Sequence, residues 1–497
     1  MRLHIHRTLL LSLVLLGGLW GCKVSNDDIE TWKGTIKGPG KIVAVILSPK
    51  YPLELRSQAA LALVEMERPD VEGPKKLHQT MQHLDPETRT KVLAAIVPGL
   101  EALMRGGQSA QSDGTATGPT EQQWRAKDAA YLLTKVATGE TRQKLIDSII
   151  AWYRVDFNGR NLAGDFSAEQ IVAELGSGAA GTLVDALNAK MPGPALVKLT
   201  ELINSKGDAA AKKKAAERMV AIQDEMTGEK FLAWLMSLVR TQLKDAGQEA
   251  DDARVKRIAE YNRESYMAGI IAAMKPLARE KAVSDRLLSI AADPKQTEDR
   301  RRAALQALEG KATEKQLDTL LALALGEGNP TSVRDYAFDR VGDVASKRAI
   351  PHLWPLVQSS TEQRLRWRAS ELVLAIGGPE VLSQFLTRLP AKAEFEPAEL
   401  NGYATRMSDM TGDTPRRTAL QKLGSGQWWE KVIALRYLEK KGKKDDVARM
   451  KKLTTDKAPT QGKQWDGQGL KTVGDVAEDA VKAIEARLSS GEEQSQG

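Results

Sequence analysis

Cysteine is nearly absent: Cys22 is the only one in 497 residues. No intrachain disulfide can form, and a thiolate metal site is excluded as well. Histidine is scarce, with five in the whole chain. His4 and His6 sit at the very start, His78 and His83 are spaced off a common helical face, and His352 has no histidine or cysteine nearby in sequence. Neither a His-x-x-x-His pair nor a Gly-x-Ser-x-Gly elbow occurs. Runs of strict apolar alternation are rare, which argues against strands. Beyond the first residues no stretch is apolar enough to cross a bilayer. These absences leave no catalytic residue to assign, no metal site and no implied cofactor, so the expectation is a protein that is not an enzyme.

Glycine does form one suggestive pattern, Gly176-Ser177-Gly178-Ala179-Ala180-Gly181. A dinucleotide-binding loop needs a strand before it and a helix after it. Ala168–Leu175 reads as helix, so the glycines read as a turn between two helices. Acidic residues are plentiful, yet Asp251-Asp252 and Asp445-Asp446 read as helix starts and exposed acids, not a general acid/base pair. Tryptophan outnumbers phenylalanine, ten against six. Trp354, Trp367 and Trp429 are expected between stacked helices. Trp428 and Trp465, if exposed, are the candidate binding anchors.

The first 21 residues have the three parts of an export signal: Arg2 and Arg7, an apolar run from Thr8 to Trp20, and Gly17, Gly18 and Gly21 near the cut. Leu19-Trp20-Gly21-Cys22 closes the segment and resembles the signal of bacterial lipoproteins. That resemblance implies cleavage between Gly21 and Cys22, acylation of the cysteine, and membrane residence through the lipid. Trp20 departs from the small residue usual in that family. Lys23 stands where an aspartate commonly signals inner-membrane retention, so the resemblance favours the outer membrane over the inner one. Removal of residues 1–21 takes Arg2 and Arg7 from 72 basic residues and nothing from 65 acidic ones, leaving a formal excess of +5. The charges are interspersed, which reads as a solvated surface and not a nucleic-acid footprint.

Past residue 41 the chain is rich in Ala, Leu, Glu, Lys and Arg, which favour helix. A four-residue face at offsets 3, 4 and 7 recurs. Arg301, Ala304, Leu305 and Leu308 form one copy, Arg334, Ala337, Phe338 and Val341 the next, and Arg366, Ala369, Ser370 and Val373 a third. Their first positions are 33 and 32 residues apart. Arg56, Ala59, Ala60 and Leu63 repeat it upstream, and Lys431, Ala434, Leu435 and Leu438 downstream. Looser copies begin at Arg89, Ala126 and Ala477. Such offsets set four side chains on one helical stripe. A period near 33 holds two helices, and one such pair cannot bury its own apolar face, so pairs must stack.

This arginine followed by an alanine-rich stripe resembles the HEAT-repeat family, most clearly across 285–385 and at 51–66. The resemblance implies an all-α solenoid of stacked antiparallel helix pairs with a partner-binding surface. The expected organisation is a signal at 1–21, a flexible tether at 22–40, repeats at 41–104, a disordered loop at 105–120, less regular repeats at 121–275, HEAT-like repeats at 276–390, a connecting loop at 391–417, repeats at 418–489 and a disordered tail at 490–497. The function expected is a lipid-anchored scaffold for an envelope protein, with no nucleic-acid partner. The alternatives are a binder of an anionic envelope polymer through a basic face, using runs such as Lys440-Lys441-Gly442-Lys443-Lys444, and, behind it, an envelope enzyme with carboxylate catalysis.

Overall fold

The computed structural model describes residues 24–68, 70–106 and 118–494. The export segment and Cys22 lie outside the described residues, as does most of the loop expected at 105–120. Among the described residues every named element is a helix, and the only β pairing is an isolated bridge between Pro459 and Thr472. The chain is all-α, built of antiparallel helix pairs packed on one another, and divides into two units at residues 283 and 284.

The first unit opens with α1 (Asn26–Lys33), α2 (Gly38–Leu47), α3 (Leu53–Glu65), α4 (Gly73–Gln82) and α5 (Pro86–Arg105). The tether expected at 22–40 is therefore corrected. Ser25 and Asp28 form a reciprocal capping box that starts α1, and Ile29 is buried against its neighbours. A helix of two turns is too short to show a period, so its polar composition reads as linker. Asp85 caps α5 through its side chain, with Pro86 in the first turn. α6 (Glu121–Leu133) packs against α3, α4, α5 and α7 (Gly139–Val155). Every residue from Arg125 to Leu133 is buried as a result.

Short helices follow: α8 (Phe157–Arg160), α9 (Ala168–Leu175) and α10 (Ser177–Thr182). The glycine motif joins α9 to α10 through Gly176, whose φ of 90° suits glycine. No strand precedes it. α11 (Gly193–Lys206), α12 (Ala209–Thr227), α13 (Glu229–Asp245) and α14 (Asp252–Met274) are longer, and α11, α12 and α13 all pack on α14. Gly193 and Gly269 let α11 and α14 meet backbone to backbone. A Cβ on Gly269 would lie 2.7 Å from the Gly193 Cα.

The second unit is the regular one. It runs through α15 (Lys281–Ala292), α16 (Glu298–Ala307), α17 (Leu317–Leu325), α18 (Thr331–Val344), α19 (Ile350–Val357) and α20 (Gln363–Gly377). It continues with α21 (Leu382–Arg388), α22 (Pro397–Asp409), α23 (Thr414–Lys422), α24 (Trp428–Lys441), α25 (Lys444–Lys451), α26 (Lys463–Gly467) and α27 (Val473–Gln494). Within pairs, α17 packs on α18, α19 on α20, α23 on α24 and α25 on α27. Between pairs, the second helices form a row in which α16 meets α18, α18 meets α20, α20 meets α22, α22 meets α24 and α24 meets α27.

Two further expectations change here. The connecting loop expected at 391–417 contains α22. Pro397 occupies its first turn instead of breaking it, and buried Glu399, Leu400, Tyr403 and Met407 hold it in the row. The tail expected to be disordered from 490 continues as helix to Gln494. The repeat stripes lie in the core: Ala59, Leu63, Ala304, Leu305, Ala337, Val341, Ala369, Val373 and Leu438 are all fully buried.

Candidate interaction surface

The repeat arginines do one job in several copies. Arg56 Nε donates to the carbonyl of Ile46 at 2.8 Å, Arg301 Nε to Ala291 at 2.8 Å, and Arg334 Nε to Ala324 at 3.1 Å. Each acceptor lies ten residues back and is the penultimate residue of the preceding helix. Carbonyls there have no partner within their own helix, and the negative end of the helix dipole attracts a cation. Each arginine therefore closes the first helix of its hairpin from the second. Arg366 does the same by donating Nη1 to the carbonyl of Ser359, just past the end of α19.

Two of these side chains also reach forward. Arg301 Nη2 donates to Asn329 Oδ1 at 2.6 Å, and Arg366 Nη2 to the Glu394 carbonyl at 2.8 Å, each 28 residues on. Arg301 and Arg366 are buried because they sit in the seam between pairs. Lys431 occupies the same sequence position with a different outcome: its Nζ pairs with Asp456 at 2.7 Å. The repeat-face cations thus bind their own scaffold and are spoken for.

Outward from that seam, the row of second helices carries a ladder of side-chain contacts between neighbours. Glu298 accepts from Ser332, Gln306 donates to Tyr336, Arg364 pairs with Asp335, Arg368 with Asp339, and Lys440 donates to Thr405. These groups are partly or largely exposed. Two of these contacts, Arg364 with Asp335 and Arg368 with Asp339, pair opposite charges. Lys440 belongs to the basic run that could have met an anionic polymer, and its ammonium is held by Thr405.

The tryptophans named as anchors are not on this surface. Trp465 is wholly buried and donates Nε1 to the Phe395 carbonyl at 2.6 Å. Trp428 is 6% exposed and meets Trp465 edge-on at 5.9 Å. With Trp429 and Phe395 they form one buried aromatic cluster. Exposure could not be read from sequence because Gly462 and Gly467 flank Trp465 as in a surface turn. Trp354 and Trp429 are buried, as gap-filling residues would be.

Two buried ionic groups escaped the sequence reading. Lys127 and Asp128, adjacent on α6, are both buried and lie 2.5 Å apart. Lys127 Nζ also donates to the carbonyls of Ala163 and Phe166, and Asp128 accepts from the Asp165 amide. Loss of hydration pushes the Lys127 ammonium down and the Asp128 carboxyl up from their ordinary ranges, and their mutual attraction opposes both shifts. The pair clamps the turn between α8 and α9. The second group joins Arg366 to Glu399 with two contacts of 2.8 and 2.9 Å, and Glu399 accepts from Tyr403 at 2.6 Å. Burial and the neighbouring carboxylate raise the Tyr403 hydroxyl well above its usual range. Both groups are held by structural partners, and buried Asp128 Oδ1 keeps only its ion contact with Lys127. The stripe Ala126, Ala129 and Ala130 marks one buried face of α6, but nothing in it shows that the other faces are buried too.

A groove of about 860 Å³ lies in the first unit beside Lys190, Phe231 and Trp234, with the Lys190 ammonium 5.6 Å from the Trp234 ring. His78, half-buried, has its ring pushed toward the neutral form by burial and by Lys135. His83 meets the Gln79 carbonyl. Among the described residues no cluster of three or more His, Cys, Asp or Glu could hold a metal.

No protein-family model matches the chain. No curated protein matches its sequence. Among solved structures, an engineered protein aligns at 15% identity over 90% of this chain and 98% of its own, with a TM-score of 0.22. The RNA-binding domain of yeast Puf5p bound to MFA2 RNA aligns at 10% identity over 82% of this chain and 95% of its own, at 0.29. The karyopherin Kap121p aligns at 12% identity over 89% of this chain and 44% of its own, also at 0.29. The assignment that stands is therefore one of architecture, an all-α array of antiparallel helix pairs, and it rests on the packing within each unit.

Proposed function

We propose that this chain is a lipoprotein anchored through Cys22 in a bacterial envelope membrane, the outer one by preference. There its helical array serves as a non-enzymatic scaffold for a protein partner. The anchor is supported by Leu19-Trp20-Gly21-Cys22 behind an apolar run too short to span a bilayer. Two or more acyl chains hold a protein at a membrane stably, because each buried methylene contributes about 0.8 kcal/mol. Confinement to a surface then raises the effective concentration near membrane partners.

The observation that carries the scaffold reading is the ladder on the second helices. A surface of polar contacts and two ion pairs along a row of packed helices offers a partner shape and mixed polarity. An anionic polymer needs cations free to replace its counterions, whereas Arg364 and Arg368 already face Asp335 and Asp339. The buried ionic groups are occupied by backbone and by each other, which supports a structural role for them over a catalytic one.

The test is to isolate the tagged chain from envelope membranes, identify what travels with it, and repeat with Cys22→Ser and with Arg364→Glu/Arg368→Glu. The expected result is loss of membrane residence for the first variant, and loss of the bound protein with retained residence for the second. A polymer in place of a protein, released steeply by salt, would overturn the scaffold reading.

A further inference from the structure

The outward side of the first hairpin differs in composition from the rest of the chain. From Thr31 to Leu53 there are four lysines and no acidic residue, in a chain with 65 acids. Within α2, Ile42, Val45 and Ile46 turn to the core. Gly40, Ala44 and Leu47 are exposed, three or four residues apart and so on one stripe. The pair at the end of a helical array ordinarily shows water a polar face. This one shows the apolar stripe of Gly40, Ala44 and Leu47 bordered by exposed Lys37 and Lys41.

Exposed apolar residues also stand on either side of α2 in the chain. Ile36 before it is 88% exposed and Leu53 after it is 42% exposed. Lys41 lies over the Trp32 ring at 5.0 Å and Lys50 over the Tyr51 ring at 4.9 Å. Aromatic rings bracketed by lysines suit the boundary between headgroups and hydrocarbon, where the ring and the aliphatic stem sit in the apolar layer and the ammonium in water.

Chain length supplies the second line of argument. Cys22 precedes Ser25, the N-cap of α1, by three residues. Three residues span at most about 11 Å, using the extended limit of roughly 3.6 Å each. α1 packs directly on α2. A bilayer that holds acylated Cys22 is therefore within about 20–25 Å of α2, the extended stretch of roughly 11 Å plus one helix diameter of about 10–12 Å.

We infer that the stripe of α2 and its flanking turns form a second contact with the membrane, seated on the lipid surface with Lys37, Lys41 and Lys50 toward anionic headgroups. The inference rests on the acylation proposed above. It makes the anchor a rigid mount that sets the orientation of the first hairpin, where a flexible tether would leave it free.

The scarcity of cysteine makes the test clean, because an acylated Cys22 leaves no free thiol in the chain. Ala44→Cys and, for comparison, Ala272→Cys on α14 are each labelled with an environment-sensitive thiol dye in the lipidated full-length protein. The proteins are reconstituted in vesicles containing anionic lipid. The expected result is a blue shift and loss of iodide quenching for the dye at position 44 in vesicles, reversed in detergent-free Cys22→Ser protein, with the dye at 272 quenched throughout. Equal quenching at 44 with and without vesicles would overturn the inference. So would protection at 44 that persists in the soluble variant together with a dimeric mass in sedimentation, since a second copy would then be the occupant. If the parent chain itself takes up the dye, Cys22 is unacylated and it is the proposed anchor that fails.

Discussion

Arg366 and Glu399, on α20 and α22, form a two-contact ion pair in which neither side chain is exposed. The Arg366 guanidinium also lies 4.8 Å from the Phe395 ring. This pair joins one hairpin to the next through a seam in which both side chains are closed off from solvent.

Removing one partner strands the other. Arg366→Met and Glu399→Leu, made singly, are each expected to lower stability by about 3–5 kcal/mol, the usual cost of leaving a buried charge unpaired. Arg366→Met/Glu399→Leu removes both charges and is expected to lose much less than the sum of the single losses. Denaturant titration of the four proteins closes the cycle, and additive losses would show that the two residues act independently.

A different mechanism governs Gly269. Alanine favours helix over glycine by about 1 kcal/mol. Here the added methyl would lie 2.7 Å from the Gly193 Cα, and backbone cannot rotate away as a side chain can. Overpacking of this kind costs about 1–3 kcal/mol, so Gly269→Ala is expected to be net destabilising. Thermal unfolding of the variant checks the sign, and a raised midpoint would mean that α11 and α14 separate freely.

The Asp85 cap gives a pH dependence. The backbone amide of Thr88 holds the Asp85 carboxyl below the ordinary aspartate range. A depressed folded value means that the cap's contribution is complete above the ordinary aspartate range and is lost as pH falls through the lowered value. The protection factor at Thr88, taken relative to the intrinsic exchange rate at each pH, is therefore expected to fall below that range in the parent chain. Asp85→Asn keeps an acceptor but has no proton to gain, so its exchange should lack the acid step. An identical acid step in both proteins would assign it to another group.

The sequence displayed the period of the second unit because one arginine per repeat has a fixed geometric task, and the alanines after it must admit the neighbouring helix. It did not display the task itself. The acceptor carbonyls of Ile46, Ala291 and Ala324 are backbone, which carries no residue identity to read. α1 and α22 were hidden for related reasons: two turns are too few for a period, and Pro397 opens a helix where proline more often ends one. The tryptophan pair Trp428 and Trp465 shows the limit for surfaces. Their burial depends on Phe395, 70 residues from Trp465 in the chain, and no local pattern records that contact.

The most direct test of the account is hydrogen exchange on Arg301→Ala. If each repeat arginine closes the helix before it and stitches its pair to the next, protection must fall at the end of α15 around Ala291 and at the turn around Asn329, while α24 and α27 keep theirs. Unchanged protection at both places would contradict the account.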